Sequence, residues 1–453
     1  MNNGLGALGA ETRLALTAAD LAPIALARAD LDNDGNRDDL AVVCQASSTL
    51  VLVTNPASAS PSQVSLGVAG LRPTCVAVAD LDANPIDDVV VGREGEPFAG
   101  GSGLAVMRNG AAATDLAIPG PHPTKVIKVA LADLDGDGDQ DLAAIAQGSP
   151  DEVLLFAGDG AGALTFAGAL ALSTAGLANG VCCADLDRDG RNDLAVVLPQ
   201  LFPPAQSLRI YRRTSAGALA PGLFTAGSDV ATSGSFAVDL ACGDLEDDSI
   251  DGFLSRVDLA QANAGSGTVT IRHGYTGSGF GSSTSPTAGT NPVAVAIGDL
   301  NGDGCDDVVV ANQGSDDVTV LLTTPPALAQ VYGTGCGGPT ISAVGTPTSG
   351  NPAFGGRVSN ALATTPMLMM FSAAPADIAL PPSTCRLLLS NPIAQQLLFT
   401  NGSGQTTFTF GIPISASLRG ADVYFQGAVF HIPGGAFADA LDISDALRVQ
   451  VGS

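Results

Sequence analysis

Tryptophan is missing from this chain altogether, and aromatic residues make up only 4% of its 453 positions. Platforms for stacking on sugar rings are therefore scarce, which disfavours a lectin. Lysine and arginine number 19 against 45 aspartates and glutamates, for a net charge of −26. With so few cations and no basic stripe, the chain cannot neutralise a phosphate backbone, and nucleic acid is excluded as a partner. No apolar run approaches the roughly 20 residues of a membrane-spanning helix. The first residues do not read as a basic patch followed by an apolar stretch, so no secretion signal is expected within this chain. Of three histidines, His122 and His273 read as solvated loop residues, and H-E-x-x-H, G-x-S-x-G and P-loop patterns are all missing. Eight cysteines are too few for a disulfide framework at this length, and without a C-x-x-C pair zinc is disfavoured. Cys44, Cys75, Cys182, Cys183 and Cys242 read as small buried apolar residues, while Cys336 and Cys385 stand apart as a candidate pair.

What the chain does have is one phrase written six times. A short apolar run leads into Asp-Leu-Asp or a close variant, then an acid- and glycine-rich loop, then a second apolar run. The first aspartates are Asp30, Asp80, Asp133, Asp185, Asp244 and Asp299, 50 to 59 residues apart. A period of this size marks a repeat architecture. More than half of the acidic residues fall in these six loops, so the negative charge is mainly a property of the loops.

The loops have the chemistry of a calcium cage. In the third copy Asp133, Asp135, Asp137 and Asp141 occupy positions 1, 3, 5 and 9, with Gly138 at position 6. A hard divalent cation takes six to eight oxygens, which alternate carboxylates on a tightly curled loop can supply. Glycine at position 6 permits the positive φ of the curl. The same set recurs as Asp30, Asp32, Asp34 and Asp38; as Asp185, Asp187, Asp189 and Asp193; and as Asp299, Asn301, Asp303 and Asp307. One extra residue in the first copy leaves Asp38 and Asp39 competing for the last ligand position. The second copy has Asn84 and Pro85 at positions 5 and 6, and the fifth has Ser249 at position 6. Four sites are expected, with the second and fifth loops left open; Asp258 is the candidate last residue of the fifth. An EF-hand is rejected, because position 12 is Ala41, Ala144, Val196 or Val310 instead of glutamate and the flanks read as strands.

The strand before each loop carries small residues at alternate positions, with Ala or Gly just before the first aspartate and Ala or Cys two residues earlier. Period-2 alternation marks a strand, and small residues mark close approach. After the loop comes a continuous apolar run such as Leu40–Val43 or Val308–Val310, suited to a strand covered on both faces. A third strand (Leu50–Thr54, Val318–Leu322) and a fourth (Gln63–Gly67) complete a four-stranded blade. The expected fold is all-β: a β-propeller of six blades, or seven if an upstream blade has been cut away, followed by a small β-sandwich. Repeat six runs out of strands after Leu322, and an N-terminal strand over Arg13–Leu16, after Asn3-Gly4, is expected to complete it and close the ring. Arg28 stands where the other repeats have apolar residues and is read as a structural arginine.

The recurring D-x-[DN]-x-D-G-x-x-D between strands resembles the FG-GAP/VCBS repeat family, whose best-known members form the calcium-binding propeller of integrin α subunits. The resemblance covers about residues 1–325 and implies that the aspartates named above, with Asn301, are Ca²⁺ ligands in about four mainly structural sites. The Phe-Gly…Gly-Ala-Pro half of the family motif is poorly kept.

From about Ala327 the repeat stops, and short alternating segments between Gly, Pro and Asn turns read as a sandwich over 326–453. Expected strands are Met367–Phe371, Arg386–Leu389, Thr406–Phe410, Val423–Phe430 and Leu447–Val451. This region resembles a C-terminal module of exported bacterial proteins. Loops built for calcium at extracellular concentrations point to an extracellular or cell-surface location. The functional expectation is a monomeric, non-enzymatic binding, adhesion or surface-assembly module for a protein or an envelope or matrix ligand. The alternative is a scaffold of, or a cryptic, extracellular hydrolase.

Overall fold

The computed structural model describes residues 16, 20, 22–56, 61–68, 72–95, 103–172, 178–199, 206–227, 229–231, 234–245, 256–277, 279–300, 305–323, 328–380, 385–413, 421–435 and 439–452. Each repeat folds as one antiparallel meander. The first comprises Pro23–Ala29, Asp39–Cys44, Thr49–Thr54 and Ser62–Gly67, hydrogen-bonded in that order. The second runs from Pro73–Ala79 through Asp88–Arg93 and Leu104–Met107 to Thr114–Asp115, and the third from Lys125–Ala132 through Asp141–Gln147 and Glu152–Gly158 to Leu164–Ala171. The fourth is built on Val181–Ala184, Asp193–Pro199, Gln206–Arg213 and Phe224–Ala226, and the fifth on Ala237–Gly243, Asp258–Asn263, Thr268–Tyr275 and Phe280–Thr284. Among the described residues the sixth has three strands: Pro292–Gly298, Asp307–Asn312 and Asp317–Leu321.

The continuous apolar character of each second strand has a direct cause. In Asp141–Gln147, Leu142, Ala144 and Ala146 pack toward repeat two with Val90, Leu104 and Val106. Ala143 and Ile145 face the other way, against Leu194, Val196 and Leu198 of repeat four. Both faces of the sheet are thus interfaces, and period 2 turns into unbroken hydrophobicity. The same kind of cluster joins repeats one and two (Val43, Leu52, Val89, Met107), four and five (Val197, Ile210, Leu240, Leu259), and five and six (Ala262, Ile271, Val308, Val310).

First strands of consecutive repeats crowd one another, as their small residues imply. A Cβ on Gly243 would lie 2.3 Å from Ile297 Cγ2, and one on Gly180 would lie 3.0 Å from the Leu240 nitrogen. Five of the six first strands also carry a register shift against their partner, at Pro23/Ala25, Pro73/Cys75, Ile145/Ala146, Ala237/Asp239 and Pro292/Ala294. The sequence pattern does not reveal these bulges. The expected N-terminal strand lies outside the described residues apart from Leu16, which packs against Val42, Cys44, Val51 and Val53 of repeat one.

After the repeats, a five-stranded sheet is ordered Leu328–Tyr332, Asp439–Gln450, Asp422–Gly435, Pro366–Ser372, Ala394–Phe399. It shares a core with a three-stranded sheet of Thr340–Val344, Gly355–Ser359 and Thr406–Thr409, through Met367, Phe371, Phe425, Leu447, Val358 and Phe408. Cys336 and Cys385 form a disulfide. All five strands expected here are present, several with longer bounds. Leu328–Tyr332, Thr340–Val344, Gly355–Ser359, Ala374–Ala379 and Ala394–Phe399 were not anticipated. Among the described residues no helix is long and apolar enough to cross a membrane.

Candidate metal centres

The first, third and fourth loops are each wound around their own first aspartate. Asp133 Oδ1 accepts the Gly136 N–H at 2.5 Å and Oδ2 the Gly138 N–H at 3.0 Å. Asp30 accepts from Asn33 and Gly35, and Asp185 from Asp189 and Gly190, in the same way. The position-6 glycines Gly35, Gly138 and Gly190 have φ of 83°, 98° and 81°, where a side chain would be strained. The curl expected from sequence is therefore held by carboxylate-to-backbone bonds.

The last aspartate is a bracket. Asp141, fully buried at the start of the second strand, accepts the Leu134 N–H at 2.7 Å and the Gly158 N–H at 2.8 Å. It thereby ties the loop's second residue to the end of the third strand. Asp88, Asp258 and Asp307 make the equivalent pair of bonds. Asp258 therefore fills the last position of repeat five, as its alignment implied. In repeat one the bracket is Asp39, which accepts from Leu31 at 2.7 Å and Asn55 at 2.8 Å. Asp38 is exposed and does not occupy this place; Asp39, not Asp38, converges with Asp30 and Asp32. The physical reason is register: Asp39 pairs with Ala29 as Asp141 pairs with Ala132.

Among the described residues four sets of carboxylates converge, with oxygens within 4.8 Å of one another: Asp30, Asp32 and Asp39; Asp80, Asp82 and Asp88; Asp133, Asp135 and Asp141; and Asp185, Asp187 and Asp193. The second set was left open by sequence and forms all the same. There Asn84 donates its side-chain amide to Asp82 Oδ1 and accepts the Ile86 N–H, so the amide holds the turn. The position-5 acids Asp34, Asp137 and Asp189 lie outside these sets. Asp34 and Asp137 accept the N–H two residues on, and Asp189 pairs with Arg191 at 2.9 Å. Of the sixth loop, Asp299 and Asp307 are described, and Asn301 and Asp303 fall outside the described residues.

The donor set fits a hard cation. Asp135 Oδ1, Asp187 Oδ1 and Asp193 Oδ2 are buried without a hydrogen-bond partner, an expensive condition for a carboxylate unless another positive group meets it. Burial, then neighbouring carboxylates, push Asp141 up to about 6 despite its two N–H donors. Asp193 is pushed up to about 7, by burial first and then by Asp187, Asp189 and Asp185, against one N–H bond from Arg213. A bound dication would relieve both causes.

The loops also tie neighbouring repeats together. Asp87 N–H donates to the Asp30 carbonyl at 2.9 Å while Asp30 N–H donates to Asp87 Oδ2 at 2.8 Å. Asp306 and Asp244 repeat this exchange at 2.8 and 2.9 Å. Between the first three loops lies a cleft of about 550 Å³, lined by Arg37, Asp80, Asp87, Asp139 and Gln140 among others. Arg37 pairs with Asp87 at 3.0 Å.

His122 and His273 both sit beside carboxylates. His122 Nδ1 lies 2.7 Å from Glu152 Oε2, with its ring against Phe166. His273 lies within a strand, 3.6 Å from Asp258 Oδ2. His273 is thus a strand residue, while His122 lies in a loop as expected, partly exposed and packed beside a carboxylate. Arg28 donates to the Arg37 carbonyl.

The FG-GAP-like repeat family model matches residues 133–196 and 255–310. No curated protein matches the sequence. Among solved structures, the PQQ-bound aldose sugar dehydrogenase of Streptomyces coelicolor aligns at 12% identity over 66% of this chain and 93% of its own, with a TM-score of 0.41. An auxiliary nutrient binding protein from Bacteroides thetaiotaomicron aligns at 9% identity over 66% and 68%, TM-score 0.42. The V. cholerae biofilm matrix protein Bap1 aligns at 13% identity over 84% and 67%, TM-score 0.36. At these values none of the three bears on ligand, partner or activity. Residues 133–196 and 255–310 thus match FG-GAP-like repeats, and the antiparallel meander sheets and aspartate loops around them make an all-β fold of the propeller type.

Proposed function

We infer that this chain is an exported, calcium-stabilised propeller that works as a binding, adhesion or surface-assembly module. Residues 1–325 make a closed ring of six blades in this reading, and residues 326–453 a β-sandwich domain. The observation that carries the calcium assignment is the set of buried carboxylate oxygens without partners, at Asp135, Asp187 and Asp193, inside converging clusters. The clustered aspartates would hold Ca²⁺ in repeats one to four, with Asp34, Asp137 and Asp189 joining as the loop tightens on the ion. Asp299, Asn301, Asp303 and Asp307 would make a further site. The ion's part is structural: it neutralises carboxylates that otherwise repel one another within each loop.

The binding role is supported by the cleft of about 550 Å³ among the first three loops, since loops on a rigid scaffold are where recognition usually sits. No catalytic residue is assigned. Every last-position aspartate is already engaged in backbone bonds, which suits a ligand and a bracket better than an acid or base.

The test has two arms. Calorimetric titration of metal-stripped protein with Ca²⁺ should show saturable uptake at four or more sites; no uptake overturns the metal assignment. The immobilised calcium-loaded protein should then retain an envelope or matrix component that is released by chelation. Turnover of an extracellular polymer, unaffected by calcium removal, would replace the binding reading with a hydrolase.

A further inference from the structure

We propose that Cys182 and Cys242 are a dithiol pair that oxidises to a disulfide bridging repeats four and five. Both lie on first strands, Val181–Ala184 and Ala237–Gly243, which run side by side. The spacing between these strands is fixed two residues earlier: a Cβ on Gly180 would sit 3.0 Å from the Leu240 nitrogen. Two residues further along each extended strand, the same face of the sheet returns, which places Cys182 opposite Cys242. Both side chains belong to the apolar cluster that joins the two repeats. Cys242 Sγ also lies 3.5 Å from the Cys183 carbonyl. Cys183 itself points to the opposite face, into the cluster shared with repeat three. The pairing is therefore with Cys182.

These thiols are more than the small apolar fillers that sequence suggests. Cys182 is buried, whereas Cys242 is partly exposed and is the one a small reagent reaches. The oxidant is a low-molecular-weight disulfide, RSSR. The Cys242 thiolate attacks one sulfur of RSSR, forming a mixed disulfide and releasing RS⁻. The Cys182 thiolate then attacks Cys242 Sγ, breaking the mixed bond and releasing the second RS⁻. Two protein thiols lose two electrons and two protons, and RSSR becomes two RSH. Cys336–Cys385 shows that this chain already carries a disulfide. Burial raises the Cys182 thiol pKa, so the second step is slow and favours alkaline conditions.

The experiment uses the full chain, incubated with oxidised glutathione, then unfolded in urea and alkylated. Six thiols are free in the reduced form. Oxidation should leave four alkylated, and digestion should yield a peptide pair joining 182–183 to 242. The Cys183→Ser variant should give the same link, and Cys242→Ala should retain five alkylated thiols before and after oxidation. Six thiols still alkylated in the wild type, a link lost in Cys183→Ser, or glutathione left attached to Cys242 would each overturn the proposal.

Discussion

Asp30 and Asp87 exchange a pair of hydrogen bonds across the junction of repeats one and two, each backbone N–H donating to the other residue. Asp244 and Asp306 do the same between repeats five and six. The residue just before the bracket thus serves the preceding repeat, and the bracket serves its own. Asp87→Ala leaves the buried Asp30 N–H without its acceptor and should cost about 1–3 kcal/mol. Thermal or urea unfolding measures it, and Asp306→Ala should fall in the same range. A neutral Asp87→Ala would mean that water replaces the carboxylate.

Asp38 holds the corresponding place in repeat one, immediately before its bracket Asp39. In a closed ring of six, its partner is Asp299 of the last repeat. Asp38→Ala should then destabilise the protein about as much as Asp87→Ala. If the ring is open or holds a seventh blade upstream, Asp38→Ala is a surface change and should fall within about 0.5 kcal/mol of wild type. One unfolding curve thereby reports on closure.

Calcium should govern stability. At millimolar Ca²⁺ and a dissociation constant near 0.1 mM, each site adds about 1.4 kcal/mol, and four sites about 5–6 kcal/mol. That is comparable to the net stability of many domains. Chelation should therefore lower the melting temperature substantially. Superimposable melting curves with calcium and with chelator would remove the ion from the structural account.

Much of this was legible in the chain. The six-fold phrase, the four-stranded unit and the doubly covered second strand all follow from spacing and from unbroken apolar runs such as Val308–Val310. The choice between Asp38 and Asp39 did not follow, because a one-residue insertion is resolved by strand register and not by loop counting. Repeat two read as worn because Asn84 is not an acid, yet its amide makes the contact that the turn requires. The missed C-terminal strands, such as Gly355–Ser359 and Ala394–Phe399, are rich in Gly, Ala, Ser and Gln, which erase the period-2 contrast.

The stabilising effect of calcium should itself depend on pH. Asp141 and Asp193 are raised to about 6 and about 7 by burial first, above the ordinary value near 3.9. Between about pH 4 and about pH 7 the metal-free folded state then holds more protons than the unfolded chain. Its stability should fall as pH rises through that window. Calcium needs the deprotonated carboxylates, so the melting difference between calcium-loaded and dialysed protein should widen from about pH 5 to about pH 8. A difference independent of pH would place the ion away from these two residues.

Repeat two offers the sharpest count. Asp80, Asp82 and Asp88 converge as tightly as the sets in repeats one, three and four, although positions 5 and 6 of this loop are Asn84 and Pro85. Three carboxylates are what a cation would find there. Asp135→Ala, in an unambiguous loop, should lower the calcium stoichiometry by one and abolish uptake in repeat three. Asp82→Ala should do the same if repeat two is loaded. Its Oδ2 also takes a bond from Asn109, so some loss of stability is expected in either case. The stoichiometry separates the two contributions: an unchanged count with a lowered melting temperature would mean that repeat two is held by amide bonds alone, with its acids kept as turn formers.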